Sequence, residues 1–181
     1  MMTGSKESAV ALPPTGEKGP SPMMEFEELV DDYHQPLYQF ACSLSGSTDQ
    51  AADLVEQAYV IWRRQEREGG QKGSVVTRLF STLYREYLGQ VGRGTESFGR
   101  RPGEGDDLVT AGGPERGEHQ LIEVLGGLDR TYRPSLALFY LQRHSYKEIA
   151  AILDIPIGTV MSRISRGKEQ LRKRVHKETD G

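Results

Sequence analysis

The stretch SYKEIAAILDIPIGTVMSRISRGK, residues 145–168, decides the fold of the C-terminal part of the chain. Its first four residues have the spacing of a capping box, in which a serine and a glutamate satisfy the free amides that open a helix. Asp154 lies where the chain must turn, and aspartate adopts a left-handed backbone more readily than most residues. Pro156 then restarts a helix that we expect to run to about His176. Two helices joined by a turn of about three residues form a helix-turn-helix.

The longer of these helices has two unlike faces. Steps of three, four and seven residues predict an inward apolar face made of Ile157, Val160, Ile164, Leu171 and Val175. The other face carries hydroxyl, guanidinium and amide groups, which suit DNA phosphates and base edges: Thr159, Ser162, Arg163, Arg166 and Gln170. A basic face is often only a solvated surface. In this chain the basic face occurs together with a capped helix, a sharp turn and the small Ala150, and this combination favours DNA binding.

Outward from this motif, the chain divides into four segments. Residues 1–24 and 92–118 are rich in Gly and Pro and have no helical or strand period, which predicts a disordered tail and a flexible acidic linker. Residues 25–91 repeat apolar positions at helical spacing, which predicts a three-helix domain. Residues 119–181 form the helix-turn-helix domain, with two further helices at about 119–125 and 131–143. The predicted fold class is all-α, with two small helical domains joined by a flexible linker.

Three local features indicate where the helices of the N-terminal domain begin and where one is bent or interrupted. Ser47 to Gln50 has capping-box spacing and opens the second helix. Ser74 is placed to cap the third helix. Pro36 lies inside the first helix and should bend or interrupt it.

The total charge conceals two domains of opposite sign. The 181 residues have a formal net charge of -3. Residues 25–91 hold 11 acidic and 6 basic residues, whereas residues 119–181 hold 7 acidic and 11 basic residues. Residues 163–177 alone hold seven basic residues and one acid. The basic end therefore fits nucleic acid, and the acidic domain fits a basic partner.

Several kinds of site lack their sequence signatures. Cys42 is the single cysteine and the four histidines are scattered, so we expect no disulfide, no metal site and no cofactor. The chain has no Gly-rich phosphate loop and no nucleophile–base spacing, which argues against an enzyme. The longest apolar run, residues 136–141, is too short to cross a bilayer, and we find no signal-peptide pattern. We expect a cytoplasmic protein without membrane insertion.

The region from Leu138 to Arg172 resembles the promoter-binding C-terminal domain of bacterial RNA polymerase sigma factors. The N-terminal block agrees with this resemblance. Residues 53–62 (DLVEQAYVIW) are similar to the polymerase-binding helix of sigma factors, and residues 79–88 (LFSTLYREYL) are similar to the helix that opens promoter DNA. Two such blocks in this order, joined by one linker, match the short extracytoplasmic-function (ECF) type.

The resemblance implies a transcription initiation factor that directs RNA polymerase to promoters. Its N-terminal domain would bind core RNA polymerase, at the clamp helices of the largest subunit, through Asp53, Glu56, Gln57, Tyr59, Val60 and Trp62. The same domain would help to melt the minus-ten element and hold an unstacked base, through Arg78, Tyr84, Arg85 and Tyr87. The helix-turn-helix would recognise the minus-thirty-five element, through Lys147, Thr159, Met161, Ser162, Arg163, Arg166 and Lys168. An anti-sigma factor is a further partner that the resemblance implies.

Two other interpretations remain open at this point. A helix-turn-helix regulator that never engages polymerase would use residues 25–91 as a dimerising bundle. A degenerate sigma-like adaptor would bind protein without supporting initiation. Arg78 and Met161 motivate this second alternative, because the family usually has Trp at the first position and many members have Lys or Arg at the second.

Overall fold

In the computed structural model, which describes residues 26–70, 73–93 and 115–179 (side chains of the last range for 117–174), the chain forms helices throughout. The described residues contain seven α-helices and no strand: α1 (Phe26–Ser45), α2 (Thr48–Arg67), α3 (Val75–Gly92), α4 (Glu115–Gly126), α5 (Arg133–Tyr140), α6 (Tyr146–Leu153) and α7 (Ile157–Thr179). The all-α prediction is confirmed. The predicted tail lies outside the described residues, as does nearly all of the predicted linker.

The starts of α2 and α3 follow the expected positions, with two differences. The Ser47 amide donates to the Ser45 hydroxyl at 3.3 Å and not to Gln50, so only one half of the capping box predicted at residues 47–50 forms. The Ser47 hydroxyl accepts a hydrogen bond from the Gln50 amide at 3.4 Å, so Ser47 caps α2. Ser74 is the residue that precedes α3, but its side chain makes no capping hydrogen bond. The first turn of α3 is therefore stabilised by packing rather than by a serine cap.

Pro36 was predicted to bend or interrupt the first helix. It does not interrupt it, because α1 runs through this residue without a break, and the bend stays a prediction. A proline inside a helix removes one backbone donor and disfavours the turn before it. Here Leu29 lies before Pro36, and Leu37 and Phe40 follow it, and all three side chains are fully buried. Tertiary packing holds the helix on both sides of the proline.

Buried side chains of α1, α2 and α3 form the core of the N-terminal domain. Phe40 of α1 packs against Phe80 of α3 with ring centroids 5.5 Å apart. The apolar positions that recur at helical spacing in α2 are all buried: Ala51, Leu54, Val55, Ala58, Tyr59 and Trp62. The helical period of three and four residues thus identified the buried face of α2 correctly.

The helix-turn-helix forms as the capping box and the turn residue predicted. The backbone amide of Ser145 donates to the Glu148 carboxylate at 2.8 Å, and the Glu148 amide donates back to the Ser145 hydroxyl at 3.3 Å. Asp154 ends α6 in the left-handed conformation, with φ of 53° and ψ of 51°. The Pro156 carbonyl then accepts the amides of Thr159 and Val160 and so opens α7.

Three expectations for the C-terminal domain need correction. The helix α4 begins at Glu115, four residues before the expected start. The helix α5 ends at Tyr140 rather than near residue 143, because Arg143 adopts a left-handed backbone with φ of 56°. Ile157 is 50% exposed although the period placed it inward. It is the first residue of α7, and the helix enters the core only at Val160 and Ile164.

The two helical domains pack directly against each other, which sequence reasoning did not predict. The helix α1 contacts α4 and α5, and α3 contacts α6. At this interface the Arg133 guanidinium donates to the Leu44 carbonyl at 3.1 Å, and the rings of Phe80 and His144 meet edge to face at 5.1 Å. The interface joins residues that are far apart in sequence, so no local sequence pattern predicts it.

Candidate nucleic-acid and protein interfaces

The outer face of α7 presents polar, basic and apolar side chains to solvent. Ser162, Arg166 and Met161 are all exposed, and Lys147 is exposed on α6. The Ser162 hydroxyl donates to the Thr159 carbonyl at 3.0 Å, which leaves its lone pairs free to accept. Thr159 itself is half-buried. This face has the donors, acceptors and charge that a major groove accommodates.

The remaining two residues predicted to recognise the minus-thirty-five element, Arg163 and Lys168, are half-buried. The Lys168 ammonium lies over the Phe139 ring at 5.1 Å and over the Tyr140 ring at 5.9 Å. Cation–π contacts of this kind hold a lysine against the protein surface. Arg163 lies close enough to Tyr84 of α3 to act on its ionisation. Burial raises the pKa of Tyr84, and the positive charge of Arg163 opposes that rise.

The candidate minus-ten residues of α3 divide into surface and interior positions. Arg85 is exposed, and Tyr84 is half-buried with its ring stacked on Tyr87 at 6.4 Å. Tyr87 is only 5% exposed and belongs to the core, and its contact with DNA stays a prediction. Arg78 pairs with Glu66 of α2 and its side chain is 11% exposed. Arg78 therefore ties α3 to α2 in this arrangement of the helices.

The outer face of α2 is an acidic strip with an apolar centre. Asp53, Glu56 and Gln57 are exposed around Val60, which is 61% exposed and is the most exposed of the large apolar residues in the described ranges. With Ile61 these residues line a shallow groove. We call Asp53, Glu56, Gln57 and Val60 the α2 strip. An exposed valine between carboxylates suits a partner surface that is both apolar and basic.

Tyr59 and Trp62 do not belong to that exposed surface, and their contact with polymerase stays a prediction. Both are buried behind it, and burial raises the pKa of Tyr59 to about 12. The Phe26 ring covers them, with centroid distances of 5.8 Å to Tyr59 and 6.3 Å to Trp62, and Arg63 lies over the outer side of Phe26 at 4.6 Å. The two aromatic residues support the α2 strip from beneath.

Two buried polar residues at the domain interface were not found from the sequence. Arg133 bridges the domains, since its guanidinium also donates to the Leu128 carbonyl at 2.8 Å. His144 is packed on Phe80, and burial lowers its pKa while nearby Glu148 opposes that effect. The only sequence signal for either residue is its position, Arg133 at the start of a helix and His144 next to a capping serine.

Other kinds of site are not seen in the described part of the chain. No group of His, Cys, Asp and Glu side chains there is arranged to hold a metal ion. No helix there is both long and apolar enough to cross a bilayer. The fold defines a helix-turn-helix protein with a second helical domain, and the exposed α7 face carries the chemical groups that suit DNA.

Comparisons with known proteins narrow this class. A family model described as sigma-70, region 4, matches residues 118–171, which contain α5, α6 and the first part of α7. The ECF RNA polymerase sigma factor SigE of Mycolicibacterium smegmatis is 29% identical over 165 residues, which cover 87% of this chain and 63% of that protein. The chain thus spans less than two thirds of that relative. The ECF sigma factor SigW of Bacillus subtilis is 28% identical over 174 residues, covering 83% of this chain and 88% of that protein.

Solved structures agree with the fold. The sigma factor RpoE from Bartonella quintana, solved in complex with the anti-sigma factor NepR, matches with a TM-score of 0.66 and 24% identity over 83% of this chain and 96% of that chain. CnrH, solved with the cytosolic domain of CnrY, matches with a TM-score of 0.62 and 18% identity over 83% of this chain and 87% of that chain. The chain is thus similar in sequence and in fold to ECF-type bacterial RNA polymerase sigma factors, and its residues 118–171 match the sigma-70 region 4 family. The regulator and adaptor alternatives are not favoured.

Proposed function

We propose that this protein binds core RNA polymerase through its N-terminal domain, residues 25–91, and directs the enzyme to promoters through the helix-turn-helix of residues 119–181. The observation that carries the proposal is the pairing of two unlike surfaces in one chain. One is the acidic α2 strip centred on Val60, and the other is the exposed basic face of α7. The chemistry of transcription would remain with the polymerase, so the proposed role needs no catalytic group, metal or cofactor from this chain, and it implies a cytoplasmic site of action.

The α2 strip supports the polymerase-binding half of the proposal. Burial of an exposed valine against a partner contributes about 1.5–3 kcal/mol, and the carboxylates around it favour a basic partner. Val60→Glu would leave a charge in the apolar centre of the contact. We expect it to weaken binding to core polymerase by at least about tenfold, since tenfold corresponds to about 1.4 kcal/mol.

The matched control for this test is Leu88→Glu, because Leu88 is also an exposed apolar residue, on α3 rather than in the α2 strip. Binding is measured by titrating labelled protein with core polymerase, and function by run-off transcription from a promoter template. If wild-type protein neither binds core polymerase nor supports a specific transcript, the proposal is wrong. If Val60→Glu and Leu88→Glu bind equally well, the polymerase contact lies elsewhere.

Two exposed basic residues of the helix-turn-helix test the promoter-binding half of the proposal, because one is expected to contact bases and the other a phosphate. We assign Arg166 to the bases and Lys147 to a phosphate. Arg166→Ala should cost about 1–3 kcal/mol at a cognate promoter and relax its specificity, whereas Lys147→Ala should weaken all sequences alike and reduce the salt slope by about one. Equal losses on cognate and random DNA for Arg166→Ala would contradict this assignment.

We also propose that an anti-sigma protein regulates this chain. The support is limited to the two solved relatives, RpoE with NepR and CnrH with CnrY, which were each captured with a second protein. A regulator of this kind should compete with core polymerase for the chain. The test is a displacement assay, in which a protein co-purified with this chain from its native cells is added to the preformed complex with polymerase. A co-purified protein that binds the complex without displacing polymerase would contradict this role.

A further inference from the structure

The N-terminal end of α7 carries an exposed apolar pair within a basic surface. Four large apolar side chains are exposed in the described part of the chain, and two of them, Ile157 at 50% and Met161 at 53%, lie in the first two turns of α7. They are four residues apart and so lie on the same side of the helix, one turn from each other. Leaving two large apolar side chains in water has a cost, which burial against a ligand would remove.

The surroundings of this pair indicate what would cover it. Ser162 and Arg166 are exposed on the same helix, and six of the residues from 163 to 174 are basic. A protein partner for an apolar patch would have to be acidic here, whereas DNA supplies the negative charge through its phosphates. In a helix-turn-helix, the first residues of the second helix contact base edges in the major groove.

The space next to the pair also permits a close approach. Gly158 lies directly after Ile157, and a Cβ built on it would meet no atom within 4 Å. The backbone at this point is therefore open on its outer side. A DNA groove can approach the helix here more closely than it could beside a larger residue.

An apolar pair in the major groove has one natural ligand among the bases. Thymine presents its C5-methyl group there, and apolar side chains are the groups that contact it. We propose that Ile157 and Met161 read thymine methyl groups in the minus-thirty-five element, so that this chain selects promoters partly by methyl contact. This inference rests on the proposed function and adds the chemical basis of its sequence choice.

Replacement of thymine by deoxyuridine tests the proposal, because it removes the methyl group and keeps the Watson–Crick pairing. The reconstituted complex with core polymerase first selects duplexes from a library randomised across the minus-thirty-five region. Each enriched thymine is then replaced in turn by deoxyuridine, and equilibrium binding is measured. One buried methyl is worth a factor of about four in affinity, so we expect a loss of about fourfold at one or two positions.

The variants Met161→Ala and Ile157→Ala assign that loss to residues. Each should bind the thymine duplex more weakly and lose the preference for thymine over deoxyuridine, whereas Leu88→Ala, a control with another exposed apolar residue, should keep it. If deoxyuridine binds as well as thymine at every enriched position, the methyl inference is wrong and the proposed function stands. A thymine preference that persists in both variants would also overturn it.

Two further outcomes would show that the apolar pair does not contact thymine. If the complex selects no sequence from the library, the proposed function fails and the methyl inference fails with it. If Met161→Ala weakens binding to core polymerase and leaves DNA binding unchanged, the pair is a protein contact and the methyl inference is wrong.

Discussion

Replacement of Arg133 by alanine tests whether the two domains are held together as the structure indicates. Arg133 is 8% exposed, and its guanidinium donates to Leu44 of the N-terminal domain and to Leu128 of the C-terminal domain. Leu44 lies in the last turn of α1, where carbonyls have no partner within the helix and a positive charge is favourable. The substitution leaves both carbonyls without this donor.

The expected cost follows from the two bonds and from what opposes them. A hydrogen bond to a charged group contributes about 1.5–3 kcal/mol, so two would contribute about 3–6 kcal/mol. Burial of the guanidinium opposes this gain, as the lowered pKa of Arg133 indicates. We expect Arg133→Ala to reduce the free energy of unfolding by about 2–3 kcal/mol. The stability of Arg133→Lys should lie between those of the wild type and Arg133→Ala, because one ammonium cannot reach both carbonyls as the guanidinium does.

Urea denaturation followed by circular dichroism measures this loss. The m-value provides a second readout, because domains that no longer unfold together give a broader transition with a smaller m. The exposed Arg85→Ala is the control and should change stability by less than about 0.5 kcal/mol. If Arg133→Ala matches this control in both stability and m-value, Arg133 does not join the domains in solution.

Three further predictions concern the C-terminal domain. Gly167→Ala should destabilise this domain by about 1–2 kcal/mol, because the new Cβ would lie 2.2 Å from the fully buried side chain of Leu136. Gly158→Ala should be neutral or stabilising by up to about 1 kcal/mol, because no atom lies within 4 Å of its new Cβ. Equal melting temperatures for the two variants would contradict this packing. Ser145→Ala should cost about 0.5–2 kcal/mol by removing the cap of α6, which thermal unfolding measures, and an unchanged midpoint would show that the cap contributes nothing. Burial lowers the pKa of His144 below 6.5, so the folded form takes up its proton only at lower pH than the unfolded form; stability should therefore fall as the pH drops below about 6.5, and His144→Gln should flatten that part of the profile. An identical pH profile for this variant would assign the effect to other groups.

Local sequence was sufficient for the features that depend on neighbouring residues. The capping box of Ser145 and Glu148 and the left-handed turn at Asp154 formed as predicted, because each depends on hydrogen bonds or backbone preferences within a few residues. The buried face of α2 was also predictable, because a period of three and four residues fixes which side chains share a face. The helix-turn-helix, and with it the resemblance to sigma factors, could therefore be recognised from residues 145–168 and their neighbours.

The division of that periodic face into core and contact surface depended on the other helices. Tyr59, Val60 and Trp62 all stood among the predicted polymerase contacts, yet only Val60 is exposed. The difference arises because Phe26, more than thirty residues earlier, covers the two aromatic side chains. A helical period states which residues are neighbours on one helix, and says nothing of what another helix places over them.

The sequence by itself thus determined the helices, the helix-turn-helix and the opposite charges of the two domains. The tertiary structure alone decided that the domains pack together, that Arg78 pairs with Glu66 across α2 and α3, and that Arg133 reaches Leu44, 89 residues away. The physical reason is the distance along the chain between the groups that interact. Caps and turns are satisfied within one helical turn, whereas a buried guanidinium needs carbonyls that only the packing of distant helices can supply.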